Sequence, residues 1–248
     1  MTTFVLVPGF WLGAWAWDAV VAGLRESGHD ALALTPLGVG EREAHTGVST
    51  EDQVDDVVAR LREQDEPVVL VGHSGAGPVV VAAAERARDE VSALVLVDTG
   101  PLPGDVSHLD FVGPERAAHV RRVLADNAGR YPMPSREELG PITAGIDETT
   151  FAAVHARSAP VPEGVPCTTA RRAERGDPTL PKIVVACIFT AADVREGAAA
   201  GAPGFAEMTG PEWSIVELPT GHWPMFSEPR ALTDVLVKAG RAGPTAGR

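Results

Sequence analysis

One serine in the chain stands where a serine can be made reactive. The run Val68-Val69-Leu70-Val71-Gly72-His73-Ser74-Gly75-Ala76-Gly77 leads from an apolar stretch straight into an apolar helical pattern, with small residues two positions to either side of Ser74. A strand-to-helix turn that sharp tolerates only small neighbours at Gly72 and Ala76, and it lifts the hydroxyl above the sheet at the positive end of the helix. Glycine-rich turns of this kind also hold dinucleotides, but Gly72, Gly75 and Gly77 lack the G-x-G-x-x-G spacing. A serine displayed in this way is a nucleophile for acyl transfer once a base removes its proton.

Seven histidines could supply the base. His222, in Leu218-Pro219-Thr220-Gly221-His222-Trp223, follows the last apolar run in a Gly-flanked loop able to return over the turn. His29 precedes a strand, and His108, His119 and His155 fall in a long insertion. His73 adjoins Ser74, but the sharp turn directs it away from the serine. The base needs a carboxylate at its far nitrogen to fix the tautomer. Asp98 ends the apolar run Ala93–Val97 directly, whereas Asp193 follows Ile183–Phe189 only after Thr190-Ala191-Ala192. Strand-end position favours Asp98, with Asp193 as the alternative. The first strand ends in Pro8-Gly9-Phe10-Trp11, so the backbone N–H groups of Phe10 and Gly75 are expected to face a developing oxyanion. Trp11, Trp223 and Met133 are expected to line an apolar substrate pocket, while Trp15 and Trp17 belong to the core. This chemistry calls for no metal and no cofactor.

The elements that must hold these residues are legible as apolar runs. Phe4–Val7, Ala31–Leu34, Val68–Val71, Ala93–Val97, Ile183–Phe189 and Trp213–Leu218 are mostly continuous rather than alternating, as in strands buried on both faces of a parallel sheet. Helical patterns cover 14–26, 49–64, 75–88 and 229–239, the second opening with Thr50 and Gln53 as a capping pair. Alternation of the two implies an α/β fold with a mostly parallel, doubly wound sheet and ligands at the strands' carboxyl ends. Residues 1–100 and 181–240 form the expected core. Residues 101–180, with helical pieces at Glu115–Leu124 and Ser135–Leu139 among many Pro and Gly, are expected to form a helical lid ahead of the penultimate strand. Residues 241–248 are expected to be a flexible tail.

Composition narrows the partners. The 248 residues carry a net charge of −13, which excludes a phosphate-backbone partner and disfavours anionic membranes. No apolar run approaches the roughly 20 residues of a membrane span. Cys167 and Cys187 form no C-x-x-C unit, so a reducing, cytoplasmic setting is expected. The N-terminus reads as a strand rather than a signal peptide. A small-molecule substrate is the expected partner, and a homodimer is compatible with the sequence.

These residues resemble the α/β-hydrolases, and in particular the small-esterase branch that includes plant methylesterases, hydroxynitrile lyases and bacterial relatives. The likeness runs through the Phe4–Trp17 opening, Ala31-Leu32-Ala33-Leu34-Thr35-Pro36-Leu37-Gly38 and the Ser74 turn. It continues through Leu96-Val97-Asp98-Thr99-Gly100-Pro101, His155-Ala156-Arg157-Ser158-Ala159-Pro160 and Gly221-His222-Trp223-Pro224-Met225. It implies a serine hydrolase acting on a small, largely apolar carboxylic ester through an acyl-enzyme. The chain departs from the pattern at Pro8-Gly9, where the family has His-Gly, and at Thr190, where the family has its usual acid. Some relatives, such as haloalkane dehalogenases, carry the acid after the strand that follows the nucleophile, the position of Asp98. Trp223 stands where hydroxynitrile lyases have lysine, which argues against cyanide-lyase chemistry. Cofactor-free dioxygenases or lyases of the same fold, which use such a site for proton abstraction, are one alternative. A non-catalytic small-molecule receptor is another.

Overall fold

The computed structural model describes residues 1–44, 47–173 and 177–242. Six parallel strands form the central sheet: β1 (Thr3–Val7), β2 (Asp30–Ala33), β3 (Val68–His73), β4 (Val91–Val97), β7 (Lys182–Ala186) and β8 (Trp213–Glu217), in the order β2-β1-β3-β4-β7-β8. Every residue of β1 after its first, and all of β3 and β7, are buried. That is why these segments read as unbroken apolar runs.

Helices cover both faces. On one, α1 (Asp18–Glu26) and α11 (Pro229–Ala242) pack over Phe4, Leu6, Val69, Val71, Val95 and Val185. On the other, α2 (Thr50–Arg62) and α3 (Gly77–Arg86) cover Val5, Val7, Leu70, Leu94 and Leu96. Further along that face, Val194 of α9 (Ala191–Ala199) packs on Val184. The chain leaves β1 toward one face and β3 toward the other, so a crevice opens between their carboxyl ends.

The N-terminus of α2 differs from the expected pairing. Ser49 is the cap: its hydroxyl accepts from the Asp52 N–H and the Asp52 carboxylate accepts from the Ser49 N–H. Thr50 and Gln53 instead tie the helix outward. The Thr50 hydroxyl donates to the carbonyl of Val165, and the Gln53 amide donates to that of Leu37.

The segment between β4 and β7 forms the insertion. Its elements are α4 (His108–Phe111), α5 (Pro114–Asp126), β5 (Arg130–Tyr131), α6 (Arg136–Leu139), α7 (Glu148–Arg157), β6 (Val161–Pro162) and α8 (Gly164–Cys167). Strands β5 and β6 pair antiparallel, and at two residues each they are too short to leave a periodic signal. Helix α7 was invisible as a pattern because only Phe151 and Val154 of its ten residues are buried. The insertion has a small core built on Leu109, Val120, Leu124, Tyr131 and Val161, which also takes in Val48 from the segment ahead of α2.

A buried ion pair bolts the insertion to the sheet domain. Arg172 bridges Glu85 of α3 at 2.6 Å, with the two side chains only 7% and 10% exposed, and also reaches Glu207 and the carbonyl of Leu102. The expected tail lies outside the described residues from residue 243 on, and no described helix is long and apolar enough to cross a membrane. Removing one member of a buried pair strands the other without a counter-charge. Arg172→Ala is therefore expected to lower the unfolding free energy by about 3–5 kcal/mol in urea titration. A loss below about 1 kcal/mol would show that the clamp is not structural.

Candidate active site

The site begins with two strands ending in register. His73 of β3 faces Val97 of β4, which faces Val185 of β7, so Ser74 and Asp98 each come one residue past a paired position. Both then turn sharply, Ser74 at φ +51° and Asp98 at φ +49°. Left-handed backbone at a non-glycine residue costs about 1–3 kcal/mol and persists only where the surroundings enforce it.

Three glycines make the enforcement possible. A Cβ at Gly72 would lie 2.3 Å from Cγ2 of Val80, and one at Gly9 would lie 2.8 Å from Cβ of Ser74. A Cβ at Gly75 would enter the Phe10 ring at 2.5 Å. That contact brings the Phe10 loop against the Ser74 turn.

The structure brings Ser74, His222 and Asp98 together. His222 Nε2 lies 2.7 Å from Ser74 Oγ, and His222 Nδ1 lies 2.5 Å from Asp98 Oδ2. The other Asp98 oxygen accepts the N–H groups of Cys187 and Ile188, each at 3.0 Å. These amides follow β7, which ends at Ala186 rather than at Phe189 because the chain there turns its donors toward Asp98. With the carboxylate as acceptor, Nδ1 of His222 carries the proton and Nε2 is left to accept from the serine hydroxyl.

Asp193 does not reach His222. It is exposed at the start of α9, where its carboxylate accepts the Thr190 N–H at 2.7 Å and the Thr190 hydroxyl. Those bonds hold its carboxyl below the usual range.

His222 sits in a loop pinned from two sides. Its N–H donates to the carbonyl of Ile142 in the insertion at 2.9 Å, and its own carbonyl accepts from Nε2 of His73 at 2.7 Å. Gly221 is required, since a Cβ there would lie 1.9 Å from the carbonyl oxygen of Ala144. His73 is directed away from the serine, as the turn implies, but it is more than a bystander. It is wholly buried, and burial together with the positive charge His222 carries when protonated holds its pKa well below the ordinary imidazole value. The ring therefore stays neutral, donating from Nε2 and leaving Nδ1 without a partner among the described residues.

A cavity of about 330 Å³ opens over Ser74 and His222, lined largely by apolar side chains that include Phe10, Trp11, Leu102, Val120 and Phe205. Trp11 is fixed there by its indole N–H, which donates to the carbonyl of Tyr131 at 3.0 Å. The expected pocket roles of Trp223 and Met133 are corrected. Both are buried in the core, Trp223 beneath the His222 ring at a centroid distance of 5.3 Å.

His108, which the sequence places in the insertion with no role at the site, lines the cavity with its ring edge-on to Phe10 at 4.6 Å. The signal was the capping pair Ser107 and Asp110, which starts α4 and so aims His108. Burial, the nearby charge of Arg116 and that of His222 push its pKa down to about 4.

Residues 4–235 match the alpha/beta hydrolase family. The chain belongs to that family. Among curated relatives, the carbendazim hydrolyzing esterase of Nocardioides sp. (strain SG-4G) is 38% identical over 101 residues, 40% of this chain and 42% of that protein. Methylesterase 8 of Arabidopsis thaliana is 39% identical over 114 residues, 44% of this chain and 41% of that protein. The chain thus spans about two fifths of the length of these relatives. A solved extracellular alpha/beta-hydrolase from a Paenibacillus species, described as sharing structural and functional homology with tobacco salicylic acid binding protein 2, superposes with a TM-score of 0.78. It covers 97% of this chain and 100% of its own at 21% identity, a likeness of fold.

The neutral His108 of this hydrolase has a consequence for stability. Its folded pKa of about 4 lies below the model-peptide value of 6.5, so below pH 6.5 the unfolded chain takes up a proton that the native chain refuses. The stability tied to the neutral ring is complete above pH 6.5 and is lost as pH falls toward 4. Unfolding free energies at pH 7.5 and pH 5, compared for wild type and His108→Phe, are expected to differ less in the variant. Equal differences would refute the assignment.

Proposed function

We propose that this α/β-hydrolase is a serine carboxylesterase for small, largely apolar esters, with Ser74 as nucleophile, His222 as general base and acid, and Asp98 as the orienting carboxylate. The observation that carries the reading is the unbroken hydrogen-bonded chain from Ser74 Oγ through His222 to Asp98 at the floor of an apolar cavity. The esterase-named relatives support the substrate class.

In this mechanism His222 Nε2 takes the Ser74 proton as Oγ attacks the ester carbonyl. The oxyanion that forms is held by the N–H groups of Phe10 and Gly75, each worth about 2.7–4 kcal/mol. His222 returns its proton to the departing alkoxide, the alcohol leaves, and an acyl-Ser74 ester remains. Water, deprotonated by His222, then attacks the acyl carbon. Collapse breaks the acyl–Oγ bond, His222 reprotonates Ser74, and the carboxylic acid is released. Asp98, anchored by two backbone amides, keeps the proton on Nδ1 and stabilises the imidazolium that forms twice per cycle.

The insertion acts here as a lid, since Leu139, Ile142 and Val120 wall the cavity. The two unpaired thiols, Cys167 and a buried Cys187, support a reducing, cytoplasmic setting.

A fluorophosphonate probe is expected to label wild-type protein and to leave Ser74→Ala unlabelled; equal labelling of both would sink the reading. On a short-chain ester, Asp98→Asn is expected to lower kcat by about a thousandfold or more, because it favours the wrong tautomer of His222. Asp193→Asn, which touches only a helix cap, is expected to stay within a few-fold. The reverse order would transfer the acid role to Asp193. Oxygen uptake on heteroaromatic ketones without acid release from esters would point instead to dioxygenase chemistry.

A further inference from the structure

The cavity contains one charge that ester hydrolysis does not use. Among its lining residues only Asp98 and Arg116 bear a permanent charge, and Asp98 is committed to His222 and two backbone amides. Arg116 lies in the first turn of α5 and lines both the cavity and an adjoining surface groove shared with His119, Arg122 and Glu138. It therefore marks one edge of the cavity mouth. Among the described residues no carboxylate pairs with it, in contrast to Arg42, Arg86, Arg88 and Arg172. Glu138, which feels its charge, lies beyond ion-pair distance and caps α6 through Oε2, accepting the Ser135 N–H at 2.9 Å and the Ser135 hydroxyl at 2.8 Å.

The influence of Arg116 extends inward. Its charge depresses His108, and its charge and a hydrogen bond from its side chain oppose the burial that raises the Tyr131 hydroxyl. His108, Tyr131 and Arg116 thus form a polar wall in a cavity that is otherwise apolar apart from the Ser74 end and Thr99. Two exposed hydrophobic side chains, Phe111 and Ile188, stand among the same lining residues.

We propose that Arg116 makes this cavity selective for apolar esters that carry a free carboxylate remote from the scissile carbonyl, such as half-esters of medium-chain dicarboxylic acids. The proposal rests on the esterase reading of Ser74. A planar guanidinium with no acidic partner, standing exposed at the rim of the cavity, offers a carboxylate two parallel hydrogen bonds. The neutral His108 ring and the Tyr131 hydroxyl can add donors without adding charge. The remaining wall takes the hydrocarbon body. A chain with a net charge of −13 repels anions at long range, so a carboxylate finds its favourable contact only at such a local cation.

The test compares kcat/KM for the monomethyl and dimethyl esters of suberic acid in wild type, Arg116→Gln and Arg116→Lys. The ratio of half-ester to diester is expected to fall about tenfold in Arg116→Gln, chiefly through KM. Arg116→Lys should recover part of it, because a point charge replaces the fork. High salt should compress the wild-type ratio toward that of Arg116→Gln. A ratio unmoved by Arg116→Gln, or equal loss on both esters, overturns the proposal. A second measurement is independent of turnover: calorimetric binding of the half-ester to Ser74→Ala and to Ser74→Ala/Arg116→Gln. Equal affinities there overturn the carboxylate site, whereas an affinity difference combined with no hydrolysis of either ester by the wild-type protein leaves the site standing and removes the esterase reading.

Discussion

The arrangement depends on how a single buried carboxylate is satisfied. Asp98 is 4% exposed, and an ionised carboxylate in that position must be fully bonded. Two backbone amides past β7 and the Nδ1–H of His222 meet the need. The demand fixes several things at once: where β7 stops, which tautomer His222 adopts, and which nitrogen remains to face Ser74. The end of β7 thus does its work through backbone amides alone.

The second constraint is closeness. Ser74 stands on a left-handed turn wedged between Gly9, Gly72 and Gly75, each too near a neighbour to carry a side chain without displacement. Around this fixed point the protein combines a rigid half and an added half. The sheet supplies Ser74 and Asp98 from adjacent strand ends. The insertion supplies the carbonyl that holds His222 and much of the cavity wall. Arg172, clamped between α3 and the insertion, keeps the two halves in one register.

The sheet and the chemistry at its edge could be read from residue order because both leave strong local marks. Runs such as Val68–Val71 are apolar throughout, being covered on both sides, and small residues around Ser74 have no cheaper explanation than a tight turn. Asp98 was legible for the same reason, as a charge that abruptly ends an apolar run. The insertion was less so. Its ribbon has two residues per strand, and α7 buries too little to show a period. The exchange of Thr50 for Ser49 at the α2 cap shows a subtler limit, since both residues fit the pattern and only the distant Val165 carbonyl decides which one leaves the helix end. Trp223 reads as pocket-lining because it adjoins His222 in the chain, and Met133 because it falls in the insertion. Adjacency there does not fix direction, and both side chains turn inward to the core.

The bond from His222 N–H to the carbonyl of Ile142 has a consequence for how this protein fails. The imidazole belongs to the sheet domain by sequence but is aligned by the insertion. Partial opening of the insertion, at a cost below that of global unfolding, would slacken the His222 loop while the sheet stayed intact. Function and fold then have separate breaking points. Heating that opened only the insertion would disconnect His222 from Ser74 in a molecule whose strands were all still paired, and cooling would restore the alignment because the elements that set register had not come apart.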